Sequence, residues 1–306
     1  MKGFTSCVLM VRPVVFYKND ETAANNYYQK RDLSRSVDEI TLAAQNEFDA
    51  LVVRLQSVGI EVVVHQDTIE TITPDSVFPN NWISFHSKNK AILYPMYAPN
   101  RRLERNPEVI DTLRKHGLSM DVIADYSPWE KELHYLEGTG SMVLDREAHV
   151  AYAAISERTD PDLFVHFCKE QGFAPIVFHS YQSVGGKRLP IYHTNVMMSV
   201  GPTFAIIGLQ TLDHSEERKK VIEKLEETGK EIIDLTEGQI NQFAGNMLTL
   251  LGDDGPVLVM SSSAYHSLNP EQVKRLEKHA QLLHSPLTTI EYCGGGSARC
   301  MLAELF

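Results

Sequence analysis

Apolar and polar positions along this chain fall into short paired runs that return at a nearly constant interval. Four stretches read as two brief strands around a tight turn: "NWISFHSKNKAILYPM" from Asn81, "SMVLDREAHVAYAAI" from Ser141, "NVMMSVGPTFAIIGL" from Asn195 and "NMLTLLGDDGPVLVMS" from Asn246. Their midpoints carry turn residues, Ser87-Lys88-Asn89, Asp145-Arg146-Glu147, Gly201-Pro202 and Asp253-Asp254-Gly255, as hairpins require. After each comes a segment of helical period: "RRLERNPEVIDTLRKHG", "TDPDLFVHFCKEQG", "DHSEERKKVIEKLEETG" and "NPEQVKRLEKHAQLL". Most open near Asp, Asn or Pro and three stop at Gly, the usual helix punctuation. One more strand is then expected, in "LSMDVIAD", "FAPIVFH", "KEIIDLT" and "SPLTTIEY".

Hairpin, helix, strand therefore recurs four times. Asn81, Glu137 and His193 stand 56 residues apart, Asn246 follows 53 later, and Cys300 54 after that. A period of this length implies an array of supersecondary units. The fifth unit is divided between the two ends. "SARCMLAELF" offers a first strand, while "SCVLMVRPVVF", an amphipathic helix from Asp32 to Val58 and "GIEVVVH" offer the remainder. Pairing the ends would close a ring and leave no sheet edge free to aggregate. The expected fold is α/β, five ββαβ-type units about a pseudo-fivefold axis, in one domain over residues 1–306.

Such symmetry changes the meaning of the polar residues, because equivalent loops converge on the axis. The segments ahead of each first strand are "FPNN" ending at Asn81, "LEGTG" with Glu137, "YHTN" with His193 and Asn195, "NQFAGN" ending at Asn246, and "GGGSARC" ending at Cys300. On the same rim lie "NRRLER", with Arg101, Arg102 and Arg105, and "SERT", with Arg158. A thiol beside an imidazole and a carboxylate is the arrangement of an activated nucleophile. One such residue alone would be an ordinary core or cap residue. Three in register point to catalysis.

Composition narrows the classes. With 43% hydrophobic residues and no long apolar run, no membrane span is expected, and the first residues do not read as a signal peptide. A net charge of −11 excludes the basic footprint of nucleic-acid binding. The four cysteines, Cys7, Cys168, Cys293 and Cys300, show neither a disulfide framework nor zinc spacing, so a reducing cytoplasm is expected. No metal-ligand or phosphate-loop motif appears, and neither a metal nor a cofactor is called for. Homo-oligomerisation stays open.

The segments "FPNNW", "APNRRLER", "LEGTGS", "SERT", "YHTNV" and "GGGSARCMLAE" resemble the pentein superfamily of guanidino-group-modifying enzymes across essentially the whole sequence, with citrulline-utilisation hydrolases and N-succinylarginine dihydrolase especially similar. The resemblance implies a five-bladed α/β propeller with Cys300 as nucleophile, His193 as acid and base, and Glu137 as the third member. It implies a small guanidino or ureido amino acid as substrate, with Asn81, Asn195 and Asn246 lining its site and Arg158 and Arg101 clamping its α-carboxylate. Arginine deiminases carry Asp where this chain has Asn81 and Asn195. Amides tolerate a neutral ureido group, since they both donate and accept. The expected reaction is cysteine-dependent C–N hydrolysis of citrulline or an arginine derivative through a covalent intermediate, giving an ornithine-type product, ammonia and CO2. Amidino transfer, arginine deimination and a non-catalytic binding propeller are the alternatives.

Overall fold

The computed structural model of the chain describes residues 3–86, 89–120 and 122–306; Ser87 and Lys88 of the first expected turn lie outside them. The N-terminal strand β1 (Cys7–Arg12) runs parallel to β2 (Glu61–Gln66), and the helix Val37–Gln56 connects them. That helix starts at Ser36, which accepts from the Glu39 N–H while the Glu39 carboxylate accepts from the Ser36 N–H. This reciprocal cap satisfies two N-terminal donors. The helix buries Ile40, Ala44, Phe48, Leu51 and Leu55, the spacing of one face. It is shorter at both ends than the segment Asp32 to Val58 expected from its pattern.

Each later unit has a hairpin whose second strand pairs in parallel with a third. The first is β3 (Ile83–His86), β4 (Lys90–Leu93) and β5 (Val122–Asp125), and the second is β6 (Val143–Asp145), β7 (Val150–Ala154) and β8 (Ala174–Phe178). Next in order are β9 (Tyr181–Val184) and β10 (Lys187–Pro190), an extra two-stranded hairpin outside the repeat that its pattern did not announce. The series resumes with β11 (Met198–Val200), β12 (Phe204–Ile207) and β13 (Glu231–Asp234), then β14 (Leu248–Gly252), β15 (Gly255–Ser261) and β16 (Gln281–Ser285). The last strand, β17 (Ala303–Leu305), returns to pair antiparallel with β1. Among the described residues these strands make five three-stranded sheets.

Apolar clusters stitch consecutive sheets together. Leu9 and Leu305 pack in one cluster with Ile83 and Phe85, and Ile92 shares another with Ala151 and Ala153. Tyr152, Phe204, Ile206, Leu258 and Met260 form a third, while Val8 and Met10 meet Leu250 and Val257 in a fourth. The fifth sheet therefore packs on the first.

One expected strand is wrong. "SPLTTIEY" is not a strand: β16 ends at Ser285, and Thr288–Gly294 is helical. Thr288, Thr289 and Ile290 are β-branched and read as strand residues, but the Glu47 carboxylate accepts from the Thr289 and Ile290 N–H groups at 2.7 and 3.0 Å. A carboxylate from a distant helix thus caps this one, a tertiary contact that local pattern does not carry. Among the described residues, no helix is long and apolar enough to cross a membrane.

Candidate active site

The segment before each hairpin forms a short turn that ends in a strand, and these turns meet. Cys300 sits in a 3-10 turn, Ala298–Met301, immediately before β17. Its Sγ lies 3.2 Å from Asn246 Nδ2 and 3.5 Å from Asn195 Nδ2, both amides donating to sulfur. The backbone N–H of Arg299 donates to Asn246 Oδ1 at 3.0 Å, fixing that amide's orientation. The three residues are at most 3% exposed.

His193 is the N-cap residue of the turn Thr194–Met197, and its Nε2 is 2.8 Å from Glu137 Oε2. The other carboxylate oxygen accepts from the Tyr97 N–H at 2.9 Å, and Arg158 Nη1 stands 3.5 Å from Oε2. Burial pushes the His193 imidazole below its ordinary value, against the pull of Glu137. Burial works to raise Glu137, but Arg158, His193 and Arg101 outweigh it and hold the carboxyl below its ordinary value. Both directions favour a neutral imidazole hydrogen-bonded to an ionised carboxylate. Gly140, in "LEGTGS", lets these loops approach: a Cβ there would fall 2.3 Å from Asn81 Nδ2 and 2.9 Å from His193 Cε1, far inside contact distance.

Cys300, His193, Asn81, Arg101 and Arg158 all line one cavity, with Asp75, Tyr192 and Gly294 to Gly296. Its open space is about 10 Å³, roughly one water. The cover is residues 17–35, which carry neither helix nor strand and are held mostly by amides and hydroxyls. Asn25 Oδ1 accepts from Arg158 Nε at 2.9 Å, and Thr22 O accepts from Arg158 Nη2 at 2.9 Å. Gln29 Nε2 donates to Gly294 O at 2.8 Å, and Tyr192 OH to Gly295 O at 2.5 Å. The guanidinium of Arg158 also lies over the Tyr192 ring, 4.9 Å from its centroid.

All eight residues expected from the sequence thus fall in or directly against this site. Of the three competing arginines, Arg101 is the one in the cavity wall. It donates to Asn81 Oδ1 at 2.8 Å and to both Glu104 oxygens at 2.8 Å, whereas Arg105 pairs with Glu130. Glu137 faces His193 and Arg158 and is absent from the cavity wall, and the sulfur's hydrogen-bond partners are the two amides.

Asp75 was missed. It is 1% exposed. Its Oδ2 accepts from Asn19 Nδ2 at 2.8 Å and from Thr22 Oγ1 at 3.1 Å, and its Oδ1 has no hydrogen-bond partner among the described residues. Asn81 Nδ2 is likewise unpartnered. Asp75 Oδ1 is thus a spare acceptor in the cavity wall and Asn81 Nδ2 a spare donor. The only signal for Asp75 was its position shortly before "FPNN". Elsewhere, His179, His214 and Glu217 bring ligand-type atoms within 4.8 Å of one another; none of them lines the cavity.

The family described as N,N dimethylarginine dimethylhydrolase, eukaryotic, matches residues 12–306. The chain belongs to this family. A comparison with curated proteins finds no match. Among solved structures, ArgZ, an arginine dihydrolase from the ornithine–ammonia cycle in cyanobacteria, aligns at 16% identity with a TM-score of 0.72. That alignment covers 97% of this chain and 40% of ArgZ, so the chain spans well under half of that protein. It also covers 97% of the ArgZ N-terminal domain, solved covalently bound to a reaction intermediate. Dimethylarginine dimethylaminohydrolase, solved as an adduct with S-methyl-L-thiocitrulline, aligns at 13% identity and a TM-score of 0.62, covering 98% of this chain and 99% of that one. At such identities the likeness speaks for the fold, which is α/β of the pentein type.

Proposed function

We propose that this member of the dimethylarginine dimethylhydrolase family hydrolyses C–N bonds at the end of a guanidino or ureido amino acid, using Cys300 as nucleophile, and that its five sheets are the blades of a closed propeller. The observation that carries the chemistry is the thiol of Cys300 in one cavity wall with an imidazole already paired to a carboxylate. Neutral His193 takes the thiol proton. The thiolate attacks the central guanidino carbon, a C–N bond breaks, and the leaving nitrogen departs as ammonia or amine with a proton returned by His193. Water, deprotonated by His193, then attacks the covalent carbon, and the C–S bond breaks to release a ureido product. Acid followed by base is a role suited to imidazole. In a second round the thiolate attacks the ureido carbon and expels ammonia, leaving a carbamoyl thioester. Water cleaves its C–S bond to give a carbamate that loses CO2, leaving an ornithine-type amine.

The spare groups in the wall suit both stages. Asp75 Oδ1 would accept from a guanidinium N–H, a charge-assisted contact, and Asn81 Nδ2 would donate to the oxygen of a ureido intermediate. Arg158 is placed to clamp an α-carboxylate, the planar two-point contact at which arginine excels. In the closed structure Asn25 Oδ1 occupies part of that guanidinium, so a bound carboxylate would take the amide's place. The free cysteines fit a reducing compartment such as the cytoplasm.

The test is a panel of arginine, citrulline, N-succinylarginine and methylated arginines, read by ammonia and product mass with wild type and Asp75→Asn. Ornithine-type product from arginine is expected, with Asp75→Asn losing guanidino more than ureido turnover. Release of a methylamine from methylated arginine alone would limit the reaction to a single hydrolysis. A new guanidino compound made from an added amine would replace hydrolysis with transfer.

A further inference from the structure

A second cavity, of about 410 Å³, lies beyond the ion pair that backs the catalytic wall: Arg101 lines the catalytic cavity and its partner Glu104 lines this one. Four carboxyl-bearing residues face it, Asp67, Glu70, Glu104 and Glu108. Among the described residues of its wall the one guanidinium, Arg105, is already committed to both oxygens of Glu130, at 2.6 and 3.1 Å, and to Tyr94 O. Two of its buried residues carry polar atoms that no described residue satisfies. His65 is 5% and Ser76 4% exposed, and His65 Nε2 and Ser76 Oγ have no hydrogen-bond partner among the described residues. His65 Nδ1 is 2.8 Å from Thr112 Oγ1; when Nδ1 donates there, Nε2 is an acceptor. Trp82 and Val109 supply an apolar wall. Buried polar groups are normally paired, so acceptors left over beside a cluster of carboxylates describe a place for a donor with positive charge.

We propose that this cavity is a second ligand site for a small organic cation, an alkylammonium or alkylguanidinium without an acid group, and that its occupancy is coupled to the catalytic pocket through Glu104, Arg101 and Asn81. The acid lining and the spent Arg105 disfavour a carboxylate on the ligand. The coupling is a matter of shared charge. Glu104 gives both oxygens to Arg101, at 2.8 Å each, and Arg101 in turn donates to Asn81 Oδ1 at 2.8 Å. A cation beside Glu104 competes for that carboxylate and loosens its hold on Arg101, so the disturbance arrives at the amide in the catalytic wall. Such linkage is reciprocal, each ligand changing the affinity of the other by one factor.

Calorimetry on Cys300→Ala protein, which removes the proposed nucleophile, tests this with agmatine and L-arginine as probes. Agmatine should bind, and Asp67→Asn combined with Glu108→Gln should weaken it about tenfold or more, with L-arginine affinity in the absence of agmatine held within about twofold. Asp67 accepts from the Thr68 N–H and from Thr73 Oγ1, so Glu108→Gln alone, at an exposed position, is the control that leaves folding untouched and should weaken agmatine in the same direction. Saturating agmatine should shift the L-arginine Kd about fivefold or more, and Glu104→Gln should abolish the shift. Agmatine binding that ignores the two substitutions, or that L-arginine simply competes away, would overturn the site. Agmatine that binds there and leaves the L-arginine Kd unmoved would overturn the coupling. The coupling alone rests on the reading of the catalytic pocket: if L-arginine binds nowhere, that reading fails while the agmatine measurement still decides the second site.

Discussion

His193 is where environment and chemistry meet most directly. Burial lowers its affinity for a proton, so at neutral pH the imidazole is unprotonated: in the proposed mechanism it is free to accept the thiol's proton, though a weaker base than an ordinary imidazole. Replacing it by alanine should cost about 10²–10⁴ in kcat, the usual worth of a positioned acid–base group, measured by ammonia release. The same shift has a stability consequence. As pH falls below 6.5, the ordinary value, the unfolded chain takes up a proton that buried His193 refuses, so stability falls until the pH reaches the folded value. Glu137 adds to this. Its folded value lies below the ordinary 4.5, so its contribution is complete above 4.5 and is lost as pH falls through the folded value. Tm should therefore decline on acidification, and less steeply between pH 6.5 and the His193 folded value in His193→Gln than in wild type. An equal slope in the two proteins would contradict the assignment.

At the scale of elements, the helix Thr288–Gly294 and the cover meet at the glycine triplet. Gly295 caps that helix at φ +61, a left-handed conformation that costs an L-residue roughly 1–2 kcal/mol. A Cβ there would also lie 2.6 Å from Asn26 Oδ1. Gly295→Ala should destabilise the protein by about 1–2 kcal/mol and release residues 19–30, seen as faster hydrogen exchange in that segment and a raised KM. Unchanged exchange there would sever the link between triplet and cover. This element also marks how far sequence reading reached. Cys300, His193, Glu137, Asn81, Asn195 and Asn246 were legible because each precedes a strand whose hairpin repeats at a near-constant period, so register did the work that contacts do in space. Asp75 and the cover residues Asn19, Thr22, Asn25 and Gln29 were not, because they lie outside the repeat and act through hydrogen bonds to partners such as Arg158 and Gly294. The helix at Thr288 failed for a related reason, its N-terminal cap being Glu47, more than two hundred residues away.

At the scale of the molecule, the two ends of the described sequence form one sheet. β17 contributes the buried Ala303 and Leu305 against β1, only three residues beyond Cys300. Removing Ala303–Phe306 deletes that strand and a buried leucine, a loss of about 2–5 kcal/mol for the leucine alone. Tm and turnover should fall together, since the strand anchors the turn that presents the thiol. Full activity in the truncated protein would show that the turn holds itself.

The proposed catalysis depends most on a covalent bond to Cys300. Mixing the protein with arginine, quenching in acid within the first turnovers and measuring intact and peptide masses tests it directly. The prediction is an amidino or carbamoyl-type adduct confined to the peptide carrying Cys300, absent in Cys300→Ala along with ammonia release. Ammonia released by Cys300→Ala at a rate near that of wild type would contradict it.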